Sequence, residues 1–164
     1  MSEKGGDLFR ILTAVILFLL SSPAIANDEQ QCLQEAMYFE ARSEGKIGML
    51  AVGIVIKNRV ISSKYPKTYC SVIRQGRYFN GNPIKDRCQF SYWCDGKKEE
   101  PTDQKSWLSA ENIAKLVMKN EIIIYGIEDA THYHARYVSP DWSISHKKLA
   151  KIGQHIFYEA PRAN

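Results

Sequence analysis

The chain has 164 residues, enough for one domain that buries a substantial core without help from a metal or cofactor. Hydrophobic residues make up 45% and charged residues 24%, which excludes a disordered or fibrous chain. The formal net charge of +4 suits an anionic polymer such as a cell wall or nucleic acid, but the charges are scattered with no arginine-rich stripe to indicate the latter, and an ordinary soluble surface is the competing reading.

The first element in chain order is an apolar run, Ile11–Leu20, followed by Ser21-Ser-Pro-Ala-Ile-Ala26. This is the order of a secretory signal, with a small-x-small cleavage site at Ala24-Ile25-Ala26. The run is shorter than the roughly 20 residues that span a bilayer core. Glu3 and Asp7 offset Lys4 and Arg10, so an uncleaved membrane anchor is the competing reading. Removing residues 1–26 takes away two basic and two acidic side chains and leaves the net charge unchanged. The expectation is an exported protein, in the periplasm or outside the cell, with residues 27–164 as its one domain and no stable membrane association after cleavage. It is expected to be monomeric.

Cys32, Cys70, Cys88 and Cys94 all follow the cleavage site. An even count in an exported chain reads as two disulfides, with three possible pairings. Cys88 and Cys94 are near enough in sequence to bridge a short loop, which would leave Cys32 with Cys70. Zinc is the rival reading, but no CxxC spacing occurs and an oxidising compartment favours disulfides.

From Asp28 to about Ser43 the pattern predicts a helix, with Leu33, Ala36, Met37 and Ala41 on one stripe and Gly45 as its breaker. A second helix is predicted from about Ile47 to Ser62. It is apolar on nearly every side and therefore central, emerging at Lys57, Asn58 and Arg59. Residues 64–101 read as loops and short strands, punctuated by Pro66, Gly76, Gly81, Pro83, Gly96 and Pro101. A third helix follows Thr102 or Asp103 as N-cap, through Trp107, Leu108, Ile113, Leu116 and Val117. Ile122–Tyr125, Thr131–Val138 and His155–Tyr158 are predicted strands. The whole is α+β, a single compact domain richer in helix than strand.

Glu40 stands out on the first helix, seven residues after Leu33. Seven steps of about 100° return within roughly 20° of the starting direction, so Glu40 points along the apolar stripe. A carboxyl there either finds a cation, such as Arg42 or Arg59, or has its pKa raised. A raised pKa is what a general acid for glycosidic cleavage needs. Glu44, four residues on, falls on roughly the same side and is expected to support it rather than oppose it across a scissile bond. Glu35 points elsewhere.

The segments Tyr38-Phe-Glu-Ala-Arg-Ser-Glu-Gly45 and Gly48-Met-Leu-Ala-Val-Gly-Ile-Val-Ile-Lys-Asn-Arg-Val60 closely resemble the SleB-type cell-wall hydrolase family. The likeness continues in Tyr65–Val72, Cys88–Gly96, Ala130–Ala135, Pro140–Trp142 and Ile152–Tyr158. It implies a lysozyme-like catalytic domain acting on peptidoglycan, with no cofactor, whose essential acid is the glutamate of the Glu-Ala-Arg motif, here Glu40. Ser43 departs from the glycine usual in the family. The chain also lacks the separate peptidoglycan-binding domain of some members, so the catalytic domain itself is expected to grip the wall. The family's spore members look like lytic transglycosylases, in which one carboxyl serves as acid and then base. Plain hydrolysis, by a water positioned near Glu44, is the other possible outcome.

The aromatic segment around Cys88–Cys94 suits a sugar-binding cleft. Phe90, Tyr92 and Trp93, with Tyr78 and Phe79, offer rings, and Gln89, Ser91 and Asp95 offer hydrogen bonds; core packing is the competing use of each ring. If residues 89–91 form a strand, one alternating set faces the cleft. His132 and His134 would share a strand face and, with Tyr133, line the cleft. With Asp141 or His155 they could instead make the zinc site of a metal-dependent peptidoglycan amidase. A non-catalytic wall-binding module is the remaining alternative, and an intact Glu40 argues against it.

Overall fold

The computed structural model describes residues 23–161; all but Pro23–Ala26 of the expected signal segment lies outside them. Helix α1 (Pro23–Ala41) begins ahead of the predicted start and ends two residues early. A 3-10 turn, Arg42–Glu44, joins it to α2 (Gly45–Ile61). A short helix α3 (Tyr69–Ile73) stands where loops and strands were expected, capped by the Thr68 side chain, which accepts from the Ser71 N–H. The ribbon β1 (Gly76–Phe79) and β2 (Asn82–Cys88) follows, then a 3-10 turn at Ser91–Cys94. Helix α4 (Gln104–Met118) is capped by Asp103, whose carboxylate accepts from the Ser106 N–H.

The remaining strands form one antiparallel sheet in the order β3-β5-β4: β3 (His132–Ala135), β4 (Lys147–Ile152) and β5 (His155–Glu159). Strand β4 was not expected, and Ile122–Tyr125 is not a strand. Ile122 and Ile124 pack on the core while Ile123 and Tyr125 are exposed. The alternation is real, but the segment pairs with no neighbouring strand.

Helices α1, α2 and α4 pack on one another around α2, whose residues 48–56 are all buried. They cross closely at Gly53, where a Cβ would lie 2.6 Å from Met37 Sδ and 3.3 Å from Val117 Cγ2. Tyr38 ties the start of α4 to α1, its hydroxyl accepting from the N–H groups of Thr102 (3.0 Å) and Asp103 (2.9 Å). Two disulfides pair Cys32 with Cys70, joining α1 to α3, and Cys88 with Cys94. No helix among the described residues is long and apolar enough to cross a membrane.

One expectation about α2 fails in a way that places the site. Asn58 and Arg59 do not mark an exit to solvent; both are buried. Asn58 Nδ2 donates to the carbonyls of Glu128 (2.7 Å) and Ala130 (2.9 Å), and Arg59 Nε to that of Thr131 (2.7 Å). These bonds satisfy groups that would be costly to bury alone. They also pin the segment entering β3 against α2.

Candidate active site

With residues 128–131 fixed, β3 carries Tyr133 to Glu40. The Tyr133 hydroxyl donates to Glu40 Oε2 at 2.9 Å, across 93 residues of sequence. Glu40 Oε1 is buried and has no hydrogen-bond partner among the described residues. Burial pushes the Glu40 pKa up, opposed in turn by the Tyr133 hydroxyl, the nearby backbone of Tyr92 and Ser91, and the Arg59 charge. Tyr133 is itself pushed well up, first by burial and then by Glu40, so it stays a donor.

The carboxyl opens into a cleft of about 410 Å³, whose walls include Phe39, Arg59, Gln89, Ser91, Tyr133, His134, Tyr137 and His155. Phe39 is held by stacking on Tyr92, with ring centroids 5.2 Å apart. Phe39 and Ser91 also border a second cavity, of about 340 Å³, which contains Arg42, Asp95, Lys97 and Lys98. The two cavities therefore meet at Phe39 and Ser91.

Arg59 was weighed in the sequence as a marker of the exit of α2 and as a neutralising partner for Glu40. Its guanidinium lies over the rings of Tyr65 and Phe90, 5.3 and 5.5 Å from their centroids, and it makes no ion pair among the described residues. Burial pulls its pKa down, and the charges of Tyr65, Tyr133 and Glu40 push it back. A buried cation beside a buried carboxyl favours the ionised form of that carboxyl. The sequence signal was present: an arginine one turn from the end of a helix apolar all round.

Other expected site residues divide. Gln89 and Ser91 border the cleft, but not as a strand, because β2 ends at Cys88 and Ser91 opens a 3-10 turn. Phe90 also borders the cleft, but at 1% exposure its ring is packed in the core. Asp95 borders the second cavity and is engaged by Lys97, whose backbone N–H donates to it at 2.8 Å. Trp93 lies beside the β1–β2 ribbon, its indole N–H donating to the Tyr78 hydroxyl at 3.1 Å.

Glu44 does not continue the face of α1, because the helix ends at Ala41. Its Oε2 accepts from the Gln154 N–H at 2.8 Å, so it holds the β4–β5 turn. Its charge also reaches His155, a cleft residue whose pKa is lowered by burial and pushed back up by Glu44.

His132 and His134 flank Tyr133 in β3 but do not both border the cleft. His134 does, with Nε2 2.9 Å from the Tyr158 hydroxyl. His132 is not among the cleft residues and packs against Trp142 and His146, its ring centroid 4.4 Å from that of His146. Burial first, then the charges of Arg59 and His146, lower its pKa to about 4. No group of three or more His, Cys, Asp or Glu among the described residues is arranged to hold a metal ion, so neither Asp141 nor His155 completes a ligand set with these histidines.

The structure is thus an α+β domain with a buried carboxyl of raised pKa in the wall of a cleft. The chain belongs to the cell wall hydrolase family, whose sequence profile matches residues 43–158, beginning three residues after Glu40. It is 28% identical over 137 residues to the spore cortex-lytic enzyme of Bacillus cereus, a match covering 80% of this chain and 44% of that protein. The chain thus spans about half the length of the curated relatives it matches. The fold is that of the catalytic domain of the germination-specific lytic transglycosylase SleB from Bacillus anthracis, with a TM-score of 0.61, 25% identity, and coverage of 80% of this chain and 93% of that one. The catalytic domain of the Bacillus cereus SleB protein matches with a TM-score of 0.62, also at 25% identity, covering 81% and 91% of the two chains.

Proposed function

We propose that this chain is an exported enzyme that cleaves the glycan strands of peptidoglycan as a lytic transglycosylase, with Glu40 as its sole acid and base. The observation that carries the reading is the Glu40 carboxyl, set in the wall of a cleft with its pKa raised, one oxygen held by Tyr133 and the other buried without a hydrogen-bond partner among the described residues. Such a group is protonated closer to neutral pH than an ordinary glutamate.

Glu40 donates its proton to the bridging oxygen as the glycosidic bond breaks. The C6 hydroxyl of the muramic acid then attacks the anomeric carbon, and the Glu40 carboxylate takes the hydroxyl proton. One bond breaks, one forms, the proton is restored, and no water is consumed. Between the two transfers the carboxylate is stabilised by the Tyr133 hydroxyl and the Arg59 charge. Because one group does both jobs, no opposing carboxylate is required. In this reading the protein acts as a monomer on the wall, without membrane attachment once the signal is removed.

Glu40→Gln keeps the shape and cannot donate the proton. It is expected to lower lysis of purified sacculi by at least about a thousandfold. It is also expected to raise the melting temperature at neutral pH. The folded-state pKa is raised, so the protonated form is favoured and stability falls as pH climbs through that pKa; the amide is immune to this loss. Substantial lysis by this variant would refute the assignment.

A further inference from the structure

The β1–β2 ribbon contributes almost nothing to the core. All four residues of β1 are exposed, as are all of β2 except Pro83 and Cys88, which are half-buried. An isolated two-stranded ribbon is marginally stable at best in water, yet this one is held at both ends. Its tip turns through Asn80 and Gly81, both at positive φ (48° and 79°), as a tight hairpin turn requires. Its base is closed by the Cys88–Cys94 disulfide and by the Gln89 N–H donating to the Gln75 carbonyl at 2.9 Å.

The ribbon presents an ordered set of rings and cations. The Tyr78 hydroxyl donates to the Arg74 carbonyl at 2.6 Å and accepts from the Trp93 indole, while the Arg74 guanidinium lies 4.8 Å from the Trp93 ring centroid. Phe79, 71% exposed, is paired with Asn82, and Ile84, 40% exposed, follows two residues along, where the pairing register shifts. Exposed apolar side chains grouped in this way mark an interaction surface. Residues 74–88 carry Arg74, Arg77, Lys85 and Arg87 against one acid, Asp86, so most of the net charge of the chain is concentrated here.

We infer that this ribbon is an arm that grips the peptidoglycan strand outside the cleft, taking sugar faces on its exposed rings and stem-peptide carboxylates on its arginines and lysine. The inference rests on the substrate proposed above. Two observations favour this occupant. The ribbon is continuous with the cleft, since Cys88 ends β2 and both Cys88 and Gln89 border the cleft. Its charge is complementary to an anionic polymer and repels a second copy of itself.

The test is co-sedimentation of the full chain carrying Glu40→Gln with purified sacculi, with and without Arg77→Glu and Lys85→Glu. The charge reversals are expected to weaken sacculus binding about tenfold at low salt and by less at high salt. Phe79→Ser, which alters a mostly exposed side chain, is a second variant and should weaken binding at any salt. Unchanged sacculus binding in both correctly folded variants overturns the inference. So does a loss confined to binding of phosphatidylglycerol–phosphatidylethanolamine vesicles, which makes a membrane the occupant. A dimer that dissociates in the variants without change in sacculus binding also overturns it, in favour of a second copy. If the parent Glu40→Gln protein does not bind sacculi at all, the proposed substrate falls and the arm falls with it.

Discussion

Glu40 and Tyr133 form the contact on which the proposed chemistry depends, and its effect has a definite sign. A hydrogen bond donated to a carboxylate favours the ionised form, so losing it raises the pKa. Tyr133→Phe is therefore expected to move the alkaline limb of the pH–rate profile for sacculus lysis upward by about one unit, the scale of one charge-assisted hydrogen bond. A limb that does not move would mean the hydroxyl is not coupled to the acid. Of this site, Glu40 was legible in the sequence because a carboxylate on an apolar helical stripe breaks a local rule. The Tyr133 contact was not, since it joins positions 93 residues apart through a sheet whose pairing no local pattern specifies. Arg59 was misread for a related reason. Its hydrogen bond goes to a backbone carbonyl, that of Thr131, which leaves no mark in a sequence.

Elements were legible in proportion to how far burial follows a local period. The three long helices α1, α2 and α4 have apolar stripes or all-round apolar surfaces, and each was found within a few residues. Strand β4 was missed because it is rich in exposed lysines, with Lys147, Lys148 and Lys151 all in solvent. The Asn80-Gly81 pair is a strong hairpin signal that was passed over as mere punctuation. The turn from β4 to β5 shows how an element depends on a distant carboxylate. Gly153 has φ of +57°, and a Cβ there would lie 2.0 Å from Glu44 Oε2. Gly153→Ala is expected to cost about 1–3 kcal/mol through backbone strain and displacement of Glu44. That corresponds to about 2–4 °C in melting temperature for each kcal/mol. A melting temperature unchanged from the parent would mean that Glu44 does not hold the turn.

At the scale of the whole molecule, the two disulfides act on different loops. Cys32–Cys70 closes a separation of 38 residues and links α1, which carries Glu40, to α3. Cys88–Cys94 closes only 6 and fixes the base of the ribbon. In the chain-entropy view, losing the first costs about 4 kcal/mol and losing the second about 2 kcal/mol. Denaturant melts of the Cys32→Ser/Cys70→Ser and Cys88→Ser/Cys94→Ser chains should rank in that order. The reverse order would place the stability of the domain in the ribbon and not in the helices.

The helices and the sheet meet where α2 grips residues 128–131, and that junction brings a buried carboxyl of raised pKa, a tyrosine hydroxyl and a buried cation to one cleft. The most direct test of the proposed chemistry is mass spectrometry of the products released from purified peptidoglycan. The single-glutamate account predicts glycan fragments ending in 1,6-anhydromuramic acid, absent when Glu40→Gln replaces the parent. Fragments with ordinary reducing ends would contradict it and require a water where the C6 hydroxyl was placed. Free stem peptides in place of glycan fragments would contradict the account altogether.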